Sequence, residues 1–178
     1  EKGCTEIFYR YSTEDIVKGE CVNCTFADNK VNFLMYNKYG VRNDYDFINC
    51  IFGDNKDKQD RTVDLSTFSE KGESSFLTTP IALRNCLYSV CKTTFPVNDL
   101  GGNKVGDASF VRDRYAETFP EVEYYQILRS SLAVDAGAAL GWSAADKDLS
   151  GGSRVLDKGV DMGCFECNLR MGLLVVFR

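Results

Sequence analysis

The sequence contains no histidine, only three prolines and no long apolar segment. The lack of histidine excludes Ser-His and Cys-His nucleophile systems and removes the commonest general base and metal ligand. The longest apolar run covers residues 173–177, far short of the ~18 residues of a membrane-spanning helix. The net charge of −5 argues against a phosphate-binding surface, which requires a basic patch. We therefore expect neither a nucleic-acid partner nor a membrane span.

Cysteine, in contrast, is abundant, with eight residues in a chain of 178. An even number at this density is typical of proteins from an oxidising compartment. We therefore expect a secreted protein, extracellular or bound to the cell surface. The chain length suits one structural domain.

Helical spacing of apolar residues is rare along the chain. Short runs rich in β-branched and aromatic residues alternate instead with Asn, Asp, Gly and Lys, which is the pattern of strands and turns. Such runs occupy residues 21–26, 46–52, 81–88 and 172–177. The pattern predicts an all-β fold.

A repeat organises the first half of the chain. The sequence NCTFADN at 23–29 recurs as NCIFGDN at 49–55, and a weaker third copy, NCLY, begins at residue 85. The Asn-Cys positions are 26 and then 36 residues apart. The first spacing fits one coil of a β-solenoid, and the second fits a coil with an insertion near 60–80.

Alternation along each repeat predicts which side chains point inward. Val22, Cys24 and Phe26 share one face of the first strand, and Ile48, Cys50 and Phe52 share the same face of the second. The same rule places Arg84 of the third copy inward. One apolar strand cannot be buried alone, so successive coils must stack and pair in parallel.

The last third of the chain carries a family resemblance. Five segments occur in order: GDASFV at 106–111, YYQI at 124–127, SLAVDAG at 131–137, DLSGGSRV at 148–155 and VDMGCFE at 160–166. They resemble the C-terminal region of bacterial right-handed parallel β-helix proteins of the pectate-lyase-like superfamily, which reads "GDPLFV … YRL … SPAIDAG … DLDGNPR … VDIGAYE". Leu132, Ser153 and Cys164 depart from that pattern.

The resemblance implies a right-handed parallel β-helix, a short solenoid with a C-terminal cap and a tail strand. Residues 1–105 would form the coils, residues 106–167 the C-terminal β-helix or cap region, and residues 168–178 the tail strand, within one structural domain overall. It also implies a secreted bacterial surface protein. It implies no particular activity, because lyases, glycosidases, adhesins and structural solenoids share this scaffold.

The cysteines allow several pairings. Cys24, Cys50 and Cys86 occupy equivalent inward positions, about 4.8 Å apart in stacked coils, but their parallel Cβ vectors fit a disulfide poorly. We therefore predict a column of buried free thiols. The disulfide candidates are Cys4 with Cys21, Cys86 with Cys91, and Cys164 with Cys167. The C-x-x-C pairs at 21–24 and 164–167 also suit structural zinc, although they lie at opposite ends of the chain.

We expect no cofactor, although calcium is possible. Asp146, Asp148 and Ser150 imitate part of an oxygen-ligand loop, although Asp, Ser and Gly in this order also form an ordinary turn. The resemblance to polysaccharide lyases implies acidic calcium ligands with an Arg or Lys base, and the nearest imitation is Arg84 with Asp54 and Asp57. Two outward carboxylates on neighbouring coils would equally suit a glycosidase. No spacing selects such a pair, so we assign no catalytic residues.

The C-terminal run suggests assembly. Leu173, Leu174, Val175, Val176 and Phe177 form a β-prone strand that would either cover the open end of the solenoid or pair with a neighbouring subunit. Head-to-tail repetition of that contact would give a homo-polymer or a larger surface assembly. We therefore expect a structural or adhesive module rather than an enzyme. The alternatives are a relative of a polysaccharide lyase or glycosidase, and a polysaccharide-binding module without catalysis.

Overall fold

The computed structural model describes residues 6–10, 17–30, 33–37, 43–69, 81–93, 97–112, 124–156 and 158–168. Within these ranges the chain is all-β with essentially no helix. The strands, in chain order, are β1 (Glu6–Arg10), β2 (Val17–Val22), β3 (Thr25–Ala27), β4 (Phe33–Asn37), β5 (Asn43–Ile48), β6 (Ile51–Gly53), β7 (Leu65–Ser69), β8 (Ile81–Arg84), β9 (Leu87–Tyr88), β10 (Cys91–Thr93), β11 (Val97–Asp99) and β12 (Lys104–Val105).

The strands form three parallel sheets of four. Their orders are β1-β4-β7-β10, β2-β5-β8-β11 and β3-β6-β9-β12, so each strand pairs with the strand three places further along the chain. All pairings are parallel. The predicted all-β class with parallel strands is therefore confirmed. β7 falls within the stretch predicted as an insertion, and residues 70–80 lie outside the described residues.

An asparagine lies at each of the first three corners between the second and third sheets, and Gly101 and Gly102 take the left-handed conformation at the fourth. Asn23, Asn49 and Asn85 have φ values of 53°, 54° and 49°, a left-handed conformation that asparagine tolerates better than most residues. This conformation resets the alternation of side chains. Phe47, rather than Ile48, joins Cys50 and Phe52 in the interior. For the same reason Arg84 is exposed, so the prediction that it faces inward is wrong.

The first hydrophobic cluster lies among the three sheets. Its centre is a group of rings in which Phe26 and Phe52 stack at 5.2 Å and Phe47 meets Phe52 edge-on at 5.3 Å. Their stacking follows from the register, because Phe26 pairs with Phe52 in adjacent strands. The buried members are Phe47, Cys50, Phe52, Leu65, Ile81, Leu83 and Cys86.

A second cluster lies on the opposite face of the third sheet. Ile51 and Leu87 point there and contact Phe110, Ile127 and Met162. A Cβ atom at Gly53 would lie 3.0 Å from the Phe110 ring, so the absence of a side chain at this position permits the close approach. The described residues after 105 form turns and isolated bridges, and this segment packs along the third sheet.

Candidate functional site

A buried cluster of charged groups lies in the C-terminal segment. It comprises Asp148, Arg154, Asp161 and Glu166, all from the segments that carry the family resemblance. The Arg154 and Glu166 side chains are 3% and 1% exposed, with Nε and Oε1 3.4 Å apart. Arg154 also donates to the Gly163 carbonyl at 2.5 Å. The segments converge in space through these four side chains.

The carboxylates of this cluster accept hydrogen bonds mainly from the backbone. Asp161 accepts from the amides of Asp135 and Cys167, both at 2.6 Å. Glu166 accepts from the Asp161 amide at 3.0 Å, and Asp148 accepts from the Glu166 amide at 2.9 Å. Irregular backbone lacks the hydrogen-bond partners that a sheet supplies. The carboxylates therefore act as its acceptors.

The charge balance of the cluster is uneven, because three buried carboxyl groups share one guanidinium. Burial, followed by the charges of Asp161 and Asp148, raises the pKa of Glu166 to about 8, although Arg154 opposes this shift. Burial likewise raises the pKa of Asp161. Glu166 therefore holds a proton over much of the neutral range.

The calcium candidates lie in tight turns. Asp146 accepts from the Ser143 amide at 2.7 Å and from its hydroxyl at 2.8 Å, which lowers the pKa of Asp146. Asp148 accepts from the Ser150 hydroxyl at 2.7 Å and from the Gly152 amide at 2.9 Å. Turn geometry thus accounts for both carboxylates. In the described ranges, no group of three or more Cys, Asp or Glu side chains is arranged to hold a metal ion.

A second charged cluster lies at the surface of the third sheet. Asp28 and Asp54 hold equivalent positions in the first two repeats, and the Arg112 guanidinium binds both carboxylates. The Tyr125 hydroxyl donates to Asp28 at 2.9 Å, and the guanidinium lies 5.4 Å and 5.2 Å from the Phe110 and Tyr125 ring centres. Arg112 is 17% exposed, against 42% for Asp28 and 38% for Asp54.

The structure separates the residues that were considered for lyase chemistry. Asp54 binds Arg112, and Asp57 binds Arg61 at 2.6 Å, while Arg84 lies exposed at the end of β8. The Asp28–Arg112–Asp54 cluster was not predicted from the sequence. The equivalent places of the two aspartates in the repeat were the available signal, but nothing in the sequence marked Arg112 as their partner.

The corner asparagines join the repeats to the C-terminal segment. The Asn49 amide group donates to the Asn23 side chain at 3.0 Å and to the Ala138 carbonyl at 2.9 Å, and it accepts from the Ala138 amide at 2.6 Å. Asn85 donates to the Ala136 carbonyl at 2.9 Å. Asn49 therefore forms hydrogen bonds both with the neighbouring repeat and with the C-terminal segment that packs outside the sheets.

A second asparagine pair follows the third sheet. The Asn55 side-chain oxygen accepts from the backbone and side chain of Asn29, at 3.0 and 2.9 Å. In the third repeat Cys91 replaces this asparagine, and Asp64 accepts from the amides of the two residues before it, Ser89 and Val90, at 2.8 and 3.2 Å. The Asp64 carboxylate, which precedes the third repeat in the chain, thus accepts hydrogen bonds from the backbone of that repeat.

Cys24, Cys50 and Cys86 all lie in or against the first cluster. Each thiol donates to the carbonyl two residues earlier, at 3.3 or 3.4 Å. The Sγ atoms of Cys50 and Cys86 also lie 3.3 Å from carbonyl oxygens of the preceding repeat, those of Cys21 and Phe47, so the one S–H proton of each is shared between two acceptors. The three cysteines therefore follow one another across the coils as free thiols.

The remaining predicted disulfides are not present among the described cysteines. Cys21, Cys91, Cys164 and Cys167 are also free, and Cys4 lies outside the described residues. The proposed assembly strand, 173–177, lies outside them as well.

A cleft of about 430 Å³ opens beside the last coil. It is lined by Asn85, Gly102, Lys104, Ser131, Leu132, Val134, Asp135 and Ala136. Its ionisable lining groups are one lysine and one aspartate, both exposed. The Asp135 carboxylate already accepts from the Lys158 amide at 3.2 Å, so the cleft presents no assembled set of reactive groups.

The chain has no significant match among protein-family models, curated proteins or solved structures. The part of the chain that the structure describes also holds no helix long and apolar enough to cross a membrane.

Proposed function

We propose that this chain is a right-handed parallel β-helix. The support is the pairing of every strand with the one three places later, together with the 26-residue spacing of the first two repeats. Such a strand order arises when a chain winds through three sheets in turn and stacks each coil on the last. The handedness follows from the strong preference of parallel crossover connections.

We further propose a structural or adhesive role for this β-helix at the surface of a bacterial cell, without catalysis. One observation carries the proposal: both charged clusters bind the protein itself. The Asp161 and Glu166 carboxyl groups accept from backbone amides, and Arg112 forms ion pairs with both Asp28 and Asp54. A catalytic acid and base must instead reach the substrate. Here these groups stabilise the packing of the C-terminal segment on the coils.

Assembly is the first test of this role. The mass of the full chain in solution is measured by size-exclusion chromatography with light scattering, followed by electron microscopy, and compared with a chain that lacks residues 173–178. We expect ordered polymers from the full chain and a monomer from the shortened chain, because an unpaired strand end invites further pairing. Monomers in both cases contradict end-to-end assembly, and screening for surface and glycan binding then tests adhesion alone.

A polysaccharide-active function is the second candidate, and one observation favours it. Asp28 and Asp54 lie one coil apart, are partly exposed and share a guanidinium, so two carboxyl groups lie close together beside Tyr125. Closely spaced carboxyl groups are the requirement of a glycosidase. Release of reducing ends from a polysaccharide panel, abolished by both Asp28→Asn and Asp54→Asn, would establish this function. Binding without release of sugars would indicate a glycan-binding module.

A further inference from the structure

The cleft beside the last coil lies between the third sheet and the C-terminal segment. Lys104 on β12 pairs with Leu87 on β9, and Leu87 points to the second cluster, on the face of the sheet that the segment covers. A buried leucine is thus followed, one coil later, by an exposed lysine. The cleft volume of about 430 Å³ suits a small molecule, since ligand sites usually measure about 300–1,000 Å³.

A hydrogen-bond acceptor without a partner lines this cleft. The Asn49 side chain accepts from the Ala138 amide and donates to the Ala138 carbonyl. The equivalent Asn85 donates to the Ala136 carbonyl, but its Oδ1 has no hydrogen-bond partner among the described residues. Asn85 is also half-buried, whereas Asn49 is fully buried. The Oδ1 atom of Asn85 is therefore available to a donor in the cleft.

The two ionisable groups of the cleft also have unused binding capacity. Lys104 forms no ion pair with any carboxylate in the described ranges, that of Asp135 included. Asp135 accepts from the Lys158 amide through Oδ1, and its Oδ2 has no partner in the part of the chain that the structure describes. Asp135 Oδ2 and Asn85 Oδ1 can thus accept from a cationic donor, while the Lys104 ammonium can bind an anion.

Leu132 and Val134 supply the apolar surface of the cleft. Leu132 is 49% exposed, and its Cδ1 atom lies 2.7 Å from the place that a Cβ at Gly106 would take. The glycine therefore lets this leucine lie against the last coil. An exposed apolar surface beside groups of opposite charge favours a ligand that carries an apolar group as well.

We propose that this cleft binds a small zwitterion of the amino-acid class with an apolar side chain, either a free amino acid or a short peptide. The ligand ammonium donates to Asp135 Oδ2 and Asn85 Oδ1, and the ligand carboxylate binds Lys104. The ligand side chain packs on Leu132. A ligand with only one of the two charges would leave a charge of the cleft unmatched. This binding role goes beyond the structural role proposed above and does not depend on assembly.

The test is a titration of the isotope-labelled full chain at pH 7, followed by NMR chemical shifts. L-leucine is compared with L-leucinamide, which lacks the carboxylate, with N-acetyl-L-leucine, which lacks the ammonium, and with leucyl-leucine. We expect leucine to shift amides of the cleft, such as that of Leu132, with a dissociation constant on the order of 1 mM, because the ion pairs are partly exposed. Leucinamide and N-acetyl-leucine should each bind about fivefold more weakly.

Two substitutions assign the charges. Lys104→Met should weaken leucine binding about fivefold but should not weaken leucinamide, which has no carboxylate to lose. Asp135→Asn introduces a residue that tolerates the φ of 53° at this position, and it should weaken leucine but not N-acetyl-leucine. Lys92→Met changes an exposed lysine on β10, outside the cleft, and this control should bind leucine as the wild type does.

The tighter of leucine and leucyl-leucine identifies the source of the ligand as a free amino acid or a short peptide. Absence of any shift of the cleft amides at about 20 mM of both compounds overturns the proposal. Equal weakening of all four compounds by both substitutions overturns it as well, because the charges would then not be matched one to one. The assembly test has a different readout, so failure of the structural role is distinguishable from failure of this site.

Discussion

The coils and the C-terminal segment are stabilised in different ways. The strands between residues 6 and 105 pair in regular parallel ladders, and side-chain amides at their corners, such as that of Asn49, add further hydrogen bonds. The segment between residues 106 and 168 has only isolated bridges in its described parts. Its backbone depends on carboxylates such as Asp161.

This difference has an electrostatic consequence. An amide carries no charge, so it can be stacked through a core without a partner of opposite sign. A buried carboxylate is costly unless it is paired or protonated. The coils should therefore respond mainly to loss of packing and hydrogen bonds, and the C-terminal segment to loss of charge balance and to pH.

The largest expected effect is the removal of the guanidinium in the buried cluster. Arg154→Ala leaves Glu166 and Asp161 without their cation, which should lower the free energy of unfolding by about 3–5 kcal/mol. Urea denaturation measures the change. Lys147→Ala, at an exposed position of the same segment, is the control and should change stability by less than about 0.5 kcal/mol. Equal effects would contradict a stabilising role for Arg154.

The second effect is a pH dependence that Glu166 contributes. Its pKa is about 8 in the folded chain against an ordinary value of 4.5. The folded state therefore binds more protons between these values, and the contribution of Glu166 to stability is lost as the pH rises through about 8. Urea denaturation at pH 5.5 and pH 8.5 should show a decline in the wild type that Glu166→Gln reduces. An unchanged decline in the variant would count against the raised pKa.

The third effect concerns the coils. Asn49→Ala removes bonds to the Ala138 amide and carbonyl and places alanine at a φ of 54°, so we expect a loss of about 2–3 kcal/mol. Asn49→Gly retains the backbone freedom and isolates the contribution of the side chain. The loss should not vary between pH 5.5 and 8.5, in contrast to that of Glu166→Gln. Asn98→Ala, exposed on β11, is the control.

The smallest effect is expected at the surface cluster. Arg112→Gln should cost about 1 kcal/mol, because Asp28 and Asp54 are more than a third exposed and solvent screens the pair. In 1 M sodium chloride the wild type and Arg112→Gln should have nearly the same free energy of unfolding, as measured by urea denaturation with and without salt. Arg61→Gln, whose side chain is 64% exposed, should have almost no effect. A loss that persists in salt would indicate packing of Arg112 on the rings instead.

Much of the parallel strand pairing could be predicted from the local sequence pattern. The repeat at Asn23 and Asn49 indicated stacked strands, and the structure pairs Thr25 with Ile51 and Phe26 with Phe52 in the expected register. The alternation of inward-facing and outward-facing side chains across the corner could not be predicted, because a single residue in the left-handed conformation shifts it. That shift placed Phe47 inside and Arg84 outside.

Only part of the two charged clusters could be predicted from the sequence. The motifs containing Asp148, Arg154, Asp161 and Glu166 were recognised as a series, but their meeting in one buried cluster was not. Asp28 and Arg112 lie far apart in the sequence, and no local pattern pairs them. Such contacts depend on how the C-terminal segment lies across the third sheet.

The sequence alone determined the all-β class and the parallel strands, because short apolar runs repeated at coil spacing can be buried only by stacking. The tertiary structure decided which side chains share a cluster and therefore what each charge and thiol experiences. Burial beside Asp161 raises the pKa of Glu166, and burial likewise raises the pKa of the Cys164 thiol. Both effects arise from dielectric surroundings and distances between groups, which exist only once the chain has folded.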